Sequence, residues 1–491
     1  MGKVAKQSIQ TTIFSYIGVV IGYFNVLWLY PYAMDASELG TFRTIQDLGL
    51  LFVPFAQLGV GHGITRYFPK LEHNKSAFLS YSLMIAVAGF LLVSILFIGL
   101  RTQIIGLFAA NSLEVVDFLG VVLLITLFAL LNSILDSYSR SYLKIAIPTF
   151  FREVFLRLLT GCLVGAYLLK WISFPQVMNG LVLVYGLALA GVLIYLIWLR
   201  VLTFDLNWKT FPKGFRSSFV QFSLITFLAT AASTLIMKID SIMVSSMISL
   251  EANAIYTIAF SMALVIELPR RAISQVIMPV VADHFANEKL AEINVLYKQV
   301  SNRQLYVCIL LFIGIWANID AVYFFIPNRE IYMTGKSVVF LIGLGKLFDV
   351  AFSINSEILV FSKFFRFNLI LTIAMSALII LLNLILIPIF GIEGAAGASA
   401  IVMLLFNLVK YLFLKIRLGL EPFSKETLKI LGVGILTFNS ARFVTLDASP
   451  IENLIFTSLV VLILFLTWSL LLRAGREEWL WIKEKIKKSG S

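Results

Sequence analysis

Runs of about twenty predominantly apolar residues, separated only by short polar breaks, recur from residue 9 to residue 473 of this 491-residue chain. A helix needs roughly that length to cross the hydrocarbon core of a bilayer, so the runs are read as membrane spans. They fall at 9–32, 39–65, 76–99, 115–137, 146–169 and 176–199, then after a basic break at 217–247, 252–282, 303–327, 334–361, 366–390, 393–416, 427–446 and 451–473. Only 13% of the residues are charged, against 60% hydrophobic. That is about half the charge content of an ordinary soluble domain, too little for a water-facing shell around a chain of this length. The first run is too long for a signal-peptide core and has no small-x-small cleavage site after it, so it reads as an uncleaved span. Gly2 does not begin a myristoylation motif, because Lys6 stands where the motif requires Ser or Thr.

The formal charge of +12 would favour nucleic acid in a soluble protein, but here the basic residues lie in the breaks. They alternate from break to break. About 27 Lys and Arg fall on the side of the N-terminus, among them Arg66, Lys70, Lys144, Lys213, Lys363 and Lys410. Only Arg101, Lys170, Arg329, Lys336 and Arg442 fall on the other. Cytoplasmic loops carry the Lys and Arg excess, so both termini are expected in the cytoplasm, with the chain a multi-pass protein of a bacterial inner membrane. No loop is long enough for a separate globular domain. The tail 475–491 contains Trp479 and Trp481 and reads as either an amphipathic helix on the inner leaflet or a disordered charged end.

A weak internal repeat divides the chain into 1–203 (spans 1–6), 204–420 (spans 7–12) and the extra spans of 421–474. Spans 1 and 7 each carry a small-polar stripe: Ser8, Thr11, Thr12, Ser15, Gly18, Gly22 and Asn25 in one, Ser223, Thr226, Thr230, Ser233, Thr234 and Ser241 in the other. Spans 2 and 8 both meet a proline partway along, Pro54 and Pro269. Parallel six-span repeats of this kind are a transporter architecture, with the substrate path between the halves. The pairs Gly18 with Gly22, Gly161 with Gly165 and Ala229 with Ser233 have the spacing that lets helices approach closely.

Ionisable groups inside spans cost roughly 2.5–3.5 kcal/mol each on insertion scales and therefore call for a partner or a wet cavity. Arg43 and Asp47 (span 2), Glu267, Arg270 and Arg271 (span 8), and Lys346 and Asp349 (span 10) are the embedded candidates, with Lys238 and Asp240 nearer the end of span 7. Arg43 with Asp47, Glu267 with Arg271, and Lys346 with Asp349 are spaced to pair along their own helices. Arg270 fits that account least well, since two adjacent arginines share one acidic neighbour. A surplus guanidinium facing a cavity is suited to the oxygens of a phosphate headgroup. Arg152 and Arg157, flanking Glu153 at the start of span 5, are candidates for a cytoplasmic entrance, or else a local Glu153 and Arg157 pair with Arg152 reaching lipid phosphates.

Enzyme motifs are incomplete. Gly335-Lys336-Ser337 lacks the upstream glycine of a phosphate loop, position 330 being Glu, and Gly59-Val60-Gly61-His62-Gly63 is followed by Ile64 where a dinucleotide fingerprint needs its last glycine. His62, His73 and His284 have no metal-ligand spacing. Cys162 and Cys308 each sit within an apolar run and read as packing residues.

Two passages carry a family resemblance. One is Lys238-Ile239-Asp240-Ser241 leading through Ala254-Ile255-Tyr256 to Glu267-Leu268-Pro269 and Met278-Pro279. The other is Asn383 followed by Ile387-Pro388-Ile389-Phe390-Gly391-Ile392-Glu393-Gly394-Ala395-Ala396. With Leu39-Gly40-Thr41-Phe42 through Leu58-Gly59-Val60, they resemble the polysaccharide-exporting branch of the multidrug/oligosaccharidyl-lipid/polysaccharide (MOP) exporter superfamily over essentially the whole chain. The resemblance implies an all-α integral membrane fold of about 14 transmembrane helices: two pseudo-symmetric six-helix lobes in a V, plus two C-terminal helices. It further implies a flippase, not an enzyme, that moves undecaprenyl-pyrophosphate-linked oligosaccharide to the outer leaflet by alternating access. Related lipid-linked precursor flippases use cavity arginines in spans 2 and 8, the helices that hold Arg43 and Arg270. A polysaccharide polymerase or glycosyltransferases would then be partners, a monomer is the expected state, and no cofactor is called for beyond a coupling proton or sodium ion. The first rival is a multidrug exporter of the same fold using Asp240 or Asp349. The second is a membrane enzyme of glycan assembly, which the short outer loops disfavour.

Overall fold

The computed structural model describes residues 3–71, 75–207, 211–442 and 449–475. The tail with Trp479 and Trp481, the N-terminal Gly2 and the break residues His73 and Lys209 lie outside them. Among the described residues every regular element is helical. Ten helices are long and apolar enough to cross a membrane singly, and two further spans are bent pairs, Ala36–Gln57 with Val60–Lys70 and Arg329–Phe352 with Asn355–Phe361. The other two runs of the sequence reading are helical as well: Ala146–Leu168, which passes through a π-helical turn at Phe150–Phe155, and the shorter Lys425–Ala441. The chain is therefore a multi-pass helical membrane protein whose large apolar side chains line helix faces left open to lipid, Ile95, Ile194 and Ile370 among them.

The chain divides into two compact units, Met1–Thr257 and Ile258–Ser491, the boundary falling within the helix Leu250–Leu264. In the first, span 2 is the central helix. Asp35 caps it in a reciprocal box with Glu38, which satisfies its first backbone donors. Its glycines let neighbours in: a Cβ on Gly40 would run into the Leu250 carbonyl, and one on Gly49 would lie 2.7 Å from the Ile125 side chain. Span 2 then breaks. Leu58 (φ 51°) and Gly59 (φ 72°) both take left-handed backbone four and five residues after Pro54, and the axis turns by 50°. An aromatic cluster of Tyr67, Phe68, Phe78, Tyr138, Phe215 and Phe219 closes the end of this unit, with edge-to-face rings such as Phe78 and Phe219 at 5.1 Å.

Span 1 joins span 5 as the small-residue spacing predicts at Gly18 and Gly22, where a Cβ would meet the Glu153 backbone and the Arg157 guanidinium. Gly161 faces Asn25, whose amide donates to the Arg157 carbonyl at 2.9 Å, whereas Gly165 faces open space. Both partners are π-helical at this contact, Asn25–Leu29 and Phe150–Phe155.

In the second unit span 12 (Ile392–Leu418) packs on spans 10 and 11, and the last two helices pack on each other and on span 9. Span 9 differs from expectation: the helix is Leu290–Ala317, beginning well before residue 303, because Ile293, Tyr297 and Val300 form a buried helical face against Ile354, Ile358 and Leu414. Span 10 breaks by 49° between Phe352 and Asn355. The hinge is Ser353, fully buried at φ 52°, ψ −121°, backbone that a residue with a Cβ rarely adopts. Span 8 changes character at Val265–Glu267, a 3₁₀ turn, and restarts as Leu268–Ala286 with Pro269 in its first turn, where its missing N–H has no helical partner to lose.

Candidate functional site

Each unit buries its own set of charges. In the first, Asp47 is almost fully enclosed, and its partners come from span 7 rather than from its own helix: Lys238 Nζ at 2.6 Å and Ser241 Oγ at 2.8 Å. Ser241 Oγ also lies 2.9 Å from Asn253 Oδ1, and Asn253 Nδ2 donates to Thr44 at 2.9 Å, so spans 2, 7 and 8 share one polar network. Asp240 accepts from the Tyr256 hydroxyl at 2.9 Å. The i,i+4 pairing of Arg43 with Asp47 does not form. Lys238 and Ser241 occupy both carboxylate oxygens, so among the described residues Arg43 has no carboxylate at ion-pair distance, and its Nε is buried with no acceptor. The buried hydroxyls of Tyr30 and Tyr185 lie within electrostatic reach of this guanidinium. A guanidinium nitrogen buried without an acceptor is costly, and a bound oxyanion would remove that cost.

In the second unit the charges cross-pair between spans 8 and 10. Lys346 reaches Glu267 at 2.6 Å, Arg271 reaches the same carboxylate at 3.0 Å, and Arg270 reaches Asp349 at 2.7 Å. Glu267 with Arg271 thus forms the expected i,i+4 pair, while Lys346 with Asp349 does not. Arg270, read from the sequence as the surplus cation, is instead a paired one: Asp349 projects from span 10 onto it, and its Nη2 also donates to the Ser353 carbonyl at 3.4 Å. Arg270, Arg271, Lys346 and Lys410 gather with Glu267, Asp349 and Glu357, four basic side chains with three carboxylates.

Lys410 corrects the charge reading of the sequence. The sequence reading groups it with the basic residues of the cytoplasmic side although it falls within span 12 (393–416); the helix ends at Leu418, and Lys410 lies two turns inside it with 1% of its surface exposed. Its ammonium donates to Ser356 Oγ at 2.7 Å and stands 3.2 Å from the centroid of the Phe406 ring. Sequence reasoning also passed over Asn355, Asn407 and Glu357, whose carboxylate accepts from Ser274 at 2.7 Å. An apolar run tolerates an isolated amide or carboxylate without visible change of pattern, so spacing alone gave no signal for them.

At the start of span 5, Glu153 and Arg157 pair at 3.0 Å as expected. Arg152 pairs with Asp136 of span 4 at 2.7 Å, a carboxylate it shares with Arg140 at 2.9 Å. The arginines here remain about half exposed on the side-chain scale, Arg152 at 46% and Arg140 at 49%, so they stay within reach of an approaching anion. Among the described residues no three His, Cys, Asp or Glu side chains gather as a metal site.

No protein-family model and no curated protein matches the sequence. Solved structures do match the fold. A structure titled "Lipid II flippase MurJ, inward closed conformation" aligns with a TM-score of 0.74 over 95% of this chain and 99% of that one, at 17% identity. An inward-facing multidrug resistance MATE family transporter of the MOP superfamily aligns with a TM-score of 0.66 over 85% of this chain and 98% of that one, at 13% identity. An outward-facing MATE structure gives 0.59 over 85% and 96%, also at 13% identity. The chain has the fold that these MOP-superfamily transporters share.

Proposed function

We propose that the protein is a flippase for a lipid-linked diphosphate oligosaccharide, carrying polysaccharide repeat units from the cytoplasmic to the outer leaflet of a bacterial inner membrane by alternating access, both termini in the cytoplasm. The carrying observation is Arg43: an embedded guanidinium with a buried, unpartnered Nε and no carboxylate at ion-pair distance among the described residues. A diphosphate supplies what that group lacks, several acceptor oxygens at fixed spacing and a charge that survives at neutral pH. In the second unit Arg270 becomes available to the same chemistry once Asp349 is displaced, with Arg271, half exposed, beside it. Arg152 and Arg157 form the approach from the cytoplasm. The likeness to a lipid II flippase supports the lipid-linked class. It extends over about a tenth more of this chain than the MATE likenesses do.

Function as a multidrug exporter needs an acidic group free to hold a cationic drug. Of the two candidates for that role, Asp349 is engaged by Arg270 and Asp240 accepts the Tyr256 hydroxyl, and the engagement of Asp349 favours the anionic substrate. Export is tested in cells deleted for the chain and complemented at matched protein level. The wild type restores surface glycan and Arg43→Ala does not. Full glycan with Arg43→Ala removes the headgroup role, and drug hypersensitivity of a deletion strain with intact glycan points to the exporter.

A further inference from the structure

The proposed function accounts for the arginines but leaves unexplained why the chain buries Lys410 in span 12. The ammonium is the head of a continuous hydrogen-bonded chain. Lys410 Nζ donates to Ser356 Oγ (2.7 Å), Ser356 Oγ donates to Asn355 Oδ1 (3.3 Å), Asn355 Nδ2 donates to Asn407 Oδ1 (2.8 Å), and Asn407 Nδ2 donates to Asp349 Oδ1 (2.9 Å). The other oxygen of Asp349 takes Arg270 Nη1 at 2.7 Å. The chain passes from span 12 to the segment after the break in span 10, back to span 12, and ends on the segment before the break.

The direction of these bonds is set at one end. An ammonium has three donors and no acceptor, so Ser356 must accept from it and is left to donate onward. That fixes the amide of Asn355, which, together with the Met403 carbonyl that accepts from Asn407 Nδ2 at 2.9 Å, fixes the amide of Asn407, so that an N–H and not a carbonyl faces Asp349. With Oδ1 occupied by Asn407, Asp349 holds Arg270 through one oxygen only. The Arg270 Nε, which would complete a two-pronged grip, is buried with no acceptor. A one-pronged pair is the weaker and more easily displaced form.

We propose that Lys410 is a positioning residue that acts through Ser356, Asn355 and Asn407 to keep Asp349 on a single-oxygen contact with Arg270, leaving that arginine exchangeable onto the oxyanion of a phosphate headgroup. The identity of the oxyanion rests on the proposed function; the relay itself does not. Without the ammonium Ser356 and the Asn355 amide are free to turn, Asn407 is held by its Met403 bond alone, its contact with Asp349 loosens, and both oxygens of Asp349 close on Arg270.

The test is the rate at which phenylglyoxal modifies Arg270 in the purified full-length protein, read site by site by tandem mass spectrometry, with Arg271 as the internal standard. Lys410→Met slows modification of Arg270 about fivefold, the scale of one directional hydrogen bond gained by the pair. Lys410→Arg, donor-only like lysine, keeps the wild-type rate. Asn407→Leu, which cuts the last link, slows it as Lys410→Met does and serves if that variant does not fold. In an Asp349→Asn background Lys410→Met has no effect. A wild-type rate in folded Lys410→Met overturns the proposal, as do a wild-type rate in Asn407→Leu and slowing that persists in the Asp349→Asn background or that is matched at Arg271. Adding vesicles that contain a long-chain prenyl diphosphate addresses the headgroup separately: protection of Arg270 in the wild type supports the exchange. Absence of protection, with the slowing intact, refutes the oxyanion part and leaves the relay standing.

Discussion

Glu267 shows what a buried carboxylate does when it has two cationic partners. It receives Lys346 from span 10 and Arg271 from its own helix, and both it and Lys346 are almost enclosed. Removing one member of such a group leaves the others charged and desolvated, which typically costs about 3–5 kcal/mol. Glu267→Ala is therefore expected to lower the thermal midpoint in detergent markedly, and adding Lys346→Met is expected to recover part of the loss, because the orphaned ammonium is gone. A double variant no more stable than the single one would show that the two groups do not share an ion pair. The residue scale is also where sequence reading was weakest. Spacing along one helix foresaw Glu267 with Arg271, but the partners of Asp47, Arg270 and Lys346 come from other helices, and no pattern within a helix carries that information. Lys410 already falls inside span 12 as the sequence gives it, 393–416, and the helix ends only two residues later at Leu418; the misreading lies in grouping an in-span lysine with the loop charges that follow it.

At the scale of elements, the fourteen apolar runs were legible because the hydrocarbon core sets a minimum length that no other constraint imitates. The breaks were legible only in part. Span 2 announces its bend with Pro54 and Gly59, whereas span 10 bends at Ser353 with neither proline nor glycine there, held by Arg270 on its carbonyl and by a Ser353 to Gln304 hydrogen bond of 3.1 Å. The π-helical turns at Asn25–Leu29 and Phe150–Phe155 had no signature at all, since they arise where two helices press together around Asn25 and Arg157. Gly59 makes the difference testable. It has a left-handed backbone, and a Cβ there would be driven into the Ser223 carbonyl of span 7. Gly59→Val should cost at least about 1–2 kcal/mol for the backbone alone, with the steric clash added, and so sharply reduce the yield of folded protein on size-exclusion chromatography. A wild-type yield would mean that span 2 does not bend there.

For the molecule as a whole, the fold class followed from hydrophobic patterning, and the MOP-type architecture from residues such as the Gly391-Ile392-Glu393-Gly394 turn. There Gly394 approaches the Leu386 carbonyl too closely for a side chain, and Gly391 takes a positive φ. The lopsided distribution of Lys and Arg survives the reassignment of Lys410, one residue among about 27. What patterning left open is which charges remain unpaired, and the structure moves that property from Arg270 to Arg43. The most direct measurement is therefore the rate at which purified protein in proteoliposomes turns over a prenyl-diphosphate-linked oligosaccharide, compared between wild type and Arg43→Gln at equal reconstitution. The account predicts that the wild type flips the lipid and that Arg43→Gln loses at least about tenfold in rate, the scale of one charge-assisted contact. Equal rates in the two proteins would contradict it.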